Sequence, residues 1–384
     1  MSMFAGFRFF ALLFITLVPA VVLGLKEKSL RYYRDFLTIL FVILVFKNSI
    51  LQFLYLIAYM VLSLFVIKLY MQLRIKYKRN KKIYIAAILL VIIPLIYSKI
   101  SVFAGKNIFG FLGLSYIFFR VIQIIIEIYD GVIKEVNIFE TLEFLLFFPS
   151  LSSGPIDRSR RFLQDNSIVY SKYDYDKLLS SGIVKLILGL VYKYPIASIF
   201  YFLLNGKIKM LTGCLHWIAY SYTYGLYMFF DFAGYSLMAI GTAYILGIKL
   251  PDNFNKPFIS VDMKDFWNRW HISLSHWFRD FVFTRLIIGA ARKKITANRL
   301  LIATISLVIN MTLMGLWHGL QSHYILYGIY HGVLLAFTEL YQKKSKFYKK
   351  YKNNRIYLFV SWFVTINLVM FGFLIFSGKI PFAF

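Results

Sequence analysis

The chain has 384 residues, 60% of them hydrophobic and 20% aromatic, with a mean hydropathy of +0.67. That apolar share exceeds a soluble domain's, so composition predicts one integral membrane domain over 1–384 and leaves no room for a soluble catalytic domain. Lys and Arg number 44 against 17 Asp and Glu, a net +27, but the basic residues flank apolar runs instead of lining a soluble face, which argues against nucleic acid as a partner.

Runs that approach the roughly 20 apolar residues of a membrane helix lie at 4–25, 50–67, 83–97, 108–128, 139–151, 180–204, 214–230, 232–248, 300–317, 324–341 and 356–376. They predict an all-α bundle of about ten to eleven spans, with 36–46 as a re-entrant candidate. Arg8 is the only basic residue in the n-region, and no clear small-x-small site follows the first run. With Lys26, Lys28, Arg31 and Arg34 at its end, the run is expected to be an uncleaved helix whose N-terminus lies outside. Cys214 is the only cysteine, which excludes an intrachain disulfide and a thiolate cluster.

Lys68 to Lys82 holds seven basic residues, Arg292 to Arg299 four, and Lys343 to Arg355 seven. One reading is the positive-inside rule with attraction to anionic membrane lipids; the other is a cytosolic belt that receives an acidic protein. The two are compatible.

On a helix over 116–130, Arg120, Gln123, Glu127 and Asp130 fall within about 80° of one another, with Tyr116 beside them. Such a stripe either ties helices together or forms a polar wall of a channel. Pro149 to Arg161, with Gly154-Pro155 and several serines, reads as a loop near an aqueous boundary. Asp231, between apolar halves in Phe230-Asp231-Phe232-Ala233-Gly234-Tyr235, reads as a helix break or cap, or as a channel group. The stretch 265–290 carries Arg269, His271, Arg279, Asp280 and Arg285. It is too polar to face lipid and suits a re-entrant or cavity-lining segment.

Two histidines sit among tryptophans, in Trp267-Asn268-Arg269-Trp270-His271 and in Trp317-His318-Gly319. Neutral imidazole suits general-base work near pH 7. His318 is the candidate base for an acceptor hydroxyl, and His271 the candidate to orient substrate or stabilise developing charge. A helix–helix hydrogen bond is the alternative for either one alone. His318 lies 19 residues beyond the basic Arg292–Arg299 loop, roughly 28 Å along a helix at about 1.5 Å per residue, far from the cytosolic surface. A catalytic metal is not expected. His271 and His276, like His318 and His323, are five apart and face different ways, and there is no His-Glu-x-x-His run. Nor is there a Gly-x-Ser-x-Gly elbow.

Phe283, Ile287 and Ile288 end a helix just before Arg292-Lys293-Lys294. An apolar centre beside peripheral charge is the anatomy of a small transient interface, and equally of an amphipathic helix end resting on lipid.

Taken together, these segments resemble the membrane-bound O-acyltransferase (MBOAT) family. His318 matches that family's histidine in an apolar span, and His271 its second His or Asn some tens of residues earlier. Phe229 to Tyr235 also looks like a family segment. Ser153-Gly154-Pro155-Ile156-Asp157-Arg158 and Glu127-Ile128-Tyr129-Asp130-Gly131 are similar to the branch that transfers D-alanine. The likeness runs from about residue 30 to 376.

The resemblance implies a bundle with re-entrant segments around a central channel, in the cell membrane of a Gram-positive bacterium. It implies transfer of D-alanine from the 4'-phosphopantetheine thioester of a small acidic D-alanyl carrier protein, with no cofactor held by the chain itself. The acceptor would be a hydroxyl of lipoteichoic acid, directly or through a small membrane relay partner. In that reading Trp267, Asn268, Arg269, Trp317, Asp231 and the Arg120 stripe line the channel or position substrate, and Phe283 to Lys294 receives the carrier. Polysaccharide O-acetyl transfer by the same two histidines is the alternative within the family. A non-enzymatic transporter would show paired repeats with broken helices, and none is apparent.

Overall fold

The computed structural model describes residues 3–105 and 110–380, so positions 108 and 109 of the expected 108–128 span lie outside the described residues. Among the described residues the chain is helical throughout, and its one β-type contact is an isolated bridge between Phe254 and Trp270. Seven helices among the described residues are long and apolar enough to cross a membrane. This is the architecture of an all-α, multi-pass membrane protein.

The chain packs as two units, one running up to Leu190 and including Gly234–Pro251, the other comprising Val191–Ala233 and the residues from Asp252 onward. In the first unit the helices are α1 (Phe7–Leu25), α2 (Arg31–Phe46), α3 (Ile50–Tyr77), α4 (Lys81–Phe103), α5 (Leu114–Asp130), α6 (Ile138–Leu146), α7 (Ser159–Asn166) and α8 (Lys172–Val191). The run 36–46 is the second half of α2, an ordinary helix of 16 residues. The expected span at 139–151 is not one. Asn137 caps α6, accepting from the backbone N–H of Phe139 and Glu140, and the helix ends after 9 residues, about 14 Å and too short to cross.

Arg120 explains how α6 can end inside the protein. Its buried guanidinium donates to the carbonyls of Phe144 (3.1 Å) and Leu145 (3.0 Å) and to that of Ser150. Those of Phe144 and Leu145 are carbonyls that the C-terminus of α6 leaves without helical partners, and a cation there also complements the helix dipole.

The second unit holds α9 (Ala197–Asn205), most of α10 (Gly213–Ile245), α11 (Met263–Arg269), α12 (Ile272–Phe278), α13 (Thr284–Arg292), α14 (Arg299–His318), α15 (Ser322–Lys344), α16 (Lys346–Tyr351) and α17 (Arg355–Phe376). The expected spans 214–230 and 232–248 are a single 33-residue helix, α10. Asp231 does not break it, because Lys193 pairs with the carboxylate and the backbone ladder has no reason to open. The segment 265–290 is a chain of short helices, α11, α12, a π turn at Arg279–Phe283, and α13. The last three run on without a break from Ile272 to Arg292, and the interruption falls at the Trp270–His271 turn.

Candidate active site

His318 is the last residue of α14, a helix started by Asn298, whose side chain accepts from the N–H of Leu300 and Leu301 at 3.1 Å each. Helix α15 packs against α14 backbone to backbone through small residues. A Cβ at Gly315 would sit 2.4 Å from the carbonyl oxygen of Tyr324, and one at Gly328 2.4 Å from that of Met311. Close approach through glycine is how membrane helices gain dispersion contacts without a hydrophobic drive. Here it sets the height of His318 against the start of α15. The imidazole is half-buried in a cage of rings, with centroid distances of 4.6 Å to Trp317, 5.1 Å to Phe376, 6.1 Å to Tyr324 and 6.4 Å to Tyr327.

His271 occupies the turn between α11 and α12. Asp262 caps α11, accepting from the N–H of Lys264 and Asp265 at 2.9 Å each. The chain then runs beside Asn253–Asn255, with Asn255 N–H donating to Arg269 O (3.0 Å), Ile272 N–H to Asn253 O (2.9 Å), and Ser273 Oγ–H to Asn253 Oδ1 (2.6 Å). Held at both ends, His271 takes φ 43°, a left-handed conformation uncommon for any residue but glycine and concentrated at functional sites. Its ring is buried edge-on to Phe232 at 4.8 Å, and Nε2 has no hydrogen-bond partner among the described residues. Its burial among aromatic rings disfavours the charged form of the imidazole. A buried polar atom left without a partner costs free energy, and a substrate atom is the partner that would remove the cost.

A cavity of about 550 Å³ lies in the second unit, bounded by Trp267 and Asn268 of α11, Phe283 and Ile287 near the start of α13, and Met311 and Met314 of α14; neither His271 nor His318 is among its lining residues. Met314 lies four residues, or one turn, before His318. Lys264, ion-paired with Glu339, and Arg279 put cationic groups on the same wall.

The expected site residues therefore separate. His271, His318, Trp267, Asn268 and Trp317 lie in the second unit, and of these Trp267 and Asn268 line the cavity. Phe283 and Ile287 face it, whereas Ile288 (44% exposed), Arg292, Lys293 and Lys294 face outward. Arg269 bonds Asp265 at 2.6 Å and holds the turn, lying off the cavity wall, and Asp231 is occupied by Lys193.

Arg120, Gln123, Glu127 and Asp130 belong to the first unit and are joined to other elements. Gln123 Oε1 accepts weakly from Arg158 at 3.5 Å, Glu127 accepts from Ser159 at 3.3 Å and lies 4.0 Å from Arg160, and Asp130 pairs with Arg79 at 3.1 Å. An Arg120–Glu127 pair is not formed, because Arg120 is committed to carbonyl oxygens.

Sequence reasoning missed His331. It is fully buried, packed at 5.3 Å on Trp267 and 4.5 Å on Tyr327, with neither ring nitrogen bonded among the described residues. The signal was present, since Tyr330-His331-Gly332 repeats the aromatic-His-Gly pattern of Trp317-His318-Gly319. Among the described residues no three His, Cys, Asp or Glu side chains converge as metal ligands would.

His318 at the end of a glycine-packed helix and His271 in the turn between α11 and α12 are the candidate pair, and the family model for membrane-bound O-acyltransferases matches residues 39–378. The chain belongs to the MBOAT family and is a membrane-bound acyltransferase. Among curated proteins it is 41% identical to the teichoic acid D-alanyltransferase of Bacillus subtilis, over 99% of this chain and 98% of that protein. It is 37% identical to the enzyme of the same name from Streptococcus thermophilus, over 96% and 93%. A probable alginate O-acetylase of Pseudomonas syringae is 33% identical, but over only 70% of this chain and 49% of its own length.

Proposed function

We propose that this chain, in the cell membrane of a Gram-positive bacterium, takes D-alanine from the 4'-phosphopantetheine thioester of a small acidic carrier protein. It passes the D-alanine to a hydroxyl of teichoic acid, directly or through a small membrane relay partner. The observation that carries the reading is the cavity that begins at Phe283 and Ile287 and reaches Met314, one turn from His318. A thioester held there meets the histidines from the side of the basic Arg292–Lys294 segment. End-to-end similarity to two D-alanyltransferases, against partial similarity to the alginate O-acetylases, favours D-alanine over acetate.

In this mechanism His318 takes the proton from the acceptor hydroxyl as its oxygen attacks the thioester carbonyl. The neutral His271, in the tautomer that carries hydrogen on the unpartnered Nε2, donates to the developing oxyanion. The C–S bond then breaks, and the proton held by His318 goes to the departing thiolate. The thioester supplies the activation, so the protein contributes a base, a donor and alignment, the last being worth several kcal/mol in well-oriented reactions. The excess of cations on the cytosolic side steers an acidic carrier toward Phe283 and Ile287.

The test is donor choice. Purified protein is given D-alanyl carrier and acetyl donors, each labelled in the acyl group, with teichoic acid as acceptor. Labelled teichoic acid from the D-alanyl carrier alone is the expected result. Transfer of acetate in preference to D-alanine would replace this reading with the O-acetyl one.

A further inference from the structure

A second cavity, of about 410 Å³, lies in the second unit at the end where α14 and α17 finish. Tyr201, Lys209, His216, Tyr220, Tyr224 and Lys379 line it. We propose that this cavity is a docking subsite for a phosphodiester-linked polyol chain, holding the acceptor while one of its hydroxyls reaches His318. The proposal rests on the D-alanyl-transfer reading and adds to it where, and by what chemistry, the acceptor is held.

Three observations carry it. The first is charge. Lys209 and Lys379 line the cavity without an acidic partner among the described residues, and no Asp or Glu shares the lining. By the basic segments at Arg292–Arg299 and Lys343–Arg355, this end of α14 and α17 is the outer one. There the positive-inside bias disfavours lysine, so two lysines converging on one cavity oppose the default pattern. A chain with one negative charge per phosphodiester is their complement.

The second is the row of rings. His216 stacks on Tyr220 (6.0 Å) and Tyr220 on Tyr224 (5.8 Å, 8° between planes), and Gly225, beside Tyr224, packs on Met370 and Phe373 of α17. Three residues beyond Phe373, Phe376 lies against His318 at 5.1 Å. The row thus leads from the lysines to the base and offers phenolic hydroxyls along the way, the donors and acceptors a polyol requires.

The third is His216, whose Nδ1 lies 3.0 Å from the carbonyl oxygen of Ile208. Acting as donor there, Nδ1 leaves Nε2 for a hydroxyl of the bound chain. Helix α17 closes the arrangement, with Phe376 against both His318 (5.1 Å) and Tyr324 (5.0 Å), so that Lys379 follows three residues behind the cage around the base.

The experiment uses the full-length protein in detergent or proteoliposomes, with a synthetic glycerol-phosphate oligomer as probe. Lys209→Glu/Lys379→Glu and Tyr220→Phe are compared with the parent for oligomer binding, for binding of D-alanyl carrier, and for the KM and kcat of transfer. Expected are parent binding that weakens with salt, and a drop of about tenfold or more in the double reversal with loss of that salt dependence. KM for the oligomer rises while carrier binding stays at the parent level. Tyr220→Phe, which keeps the stacked ring, shows a smaller rise in KM. Oligomer binding and KM unchanged by the double reversal would overturn the proposal. So would a parent that binds a short hydroxyl-bearing membrane peptide at this cavity but no oligomer. Failure of the parent to consume D-alanyl carrier would instead overturn the proposed function, so the two failures are distinguishable.

Discussion

Gly315→Ala separates geometry from stability at the base. The new Cβ would lie 2.4 Å from the carbonyl oxygen of Tyr324 and 3.1 Å from Cα of Gly328, against an ordinary contact of 3.4 Å or more. Backbone cannot rotate away as a side chain can, so α14 and α15 must part by about 1 Å, at a cost of about 1–3 kcal/mol for overpacking. His318 lies three residues further along α14 and its cage includes Tyr324, so the same displacement acts on the catalytic geometry. A 1 Å misplacement can cost about 10²-fold in rate.

The control is Gly241→Ala in the first unit, where the added Cβ would meet Gly182 O at 2.5 Å, an equal clash remote in sequence from the histidines. Both variants are purified, their thermal unfolding is measured, and D-alanyl transfer is assayed per folded protein. The expected result is similar destabilisation, with kcat down about 10²-fold in Gly315→Ala and little changed in Gly241→Ala. Parent-like turnover by folded Gly315→Ala would refute the claim that the glycine contact sets the position of His318.

Other outcomes follow from the same geometry. Arg120→Met leaves three carbonyls without donors and should lower stability by about 3 kcal/mol or more, seen as a reduced unfolding temperature. Ile287→Asp, which places a charge on the cavity wall, should weaken carrier binding strongly, whereas the outward-facing Ile288→Asp should do so less, by titration with purified carrier. Reversing Arg292, Lys293 and Lys294 should slow carrier association and flatten its dependence on ionic strength while leaving dissociation nearly unchanged, by stopped-flow measurement at two salt concentrations.

The apolar runs at 4–25, 50–67, 83–97, 300–317 and 356–376 were legible because a membrane helix writes its length directly into hydropathy. The tryptophan-flanked histidines were legible because such groups are rare in apolar sequence. What was lost depended on partners distant in the chain. Asp231 looks like a break until Lys193, 38 residues earlier, is placed beside it. Helical periodicity put Arg120 and Glu127 on one face and left open whether the stripe ties helices or lines a channel. The partners of Arg120 are backbone carbonyls, which have no signature in sequence. Ile287 and Ile288 are equivalent by composition, and only the packing of α13 tells the cavity-facing one from the exposed one. The pair Lys264–Glu339 joins α11 to α15 across a gap no local pattern spans.

The central claim is that His318 is the base that activates the acceptor hydroxyl. The direct measurement is transfer of labelled D-alanine from carrier to teichoic acid by His318→Ala, beside carrier binding and thermal unfolding of the same preparation. The account predicts normal insertion and carrier binding, with transfer reduced by about 10²–10⁴-fold, the usual contribution of a general base. A folded, carrier-binding His318→Ala protein that transfers D-alanine within a few-fold of the parent would contradict it.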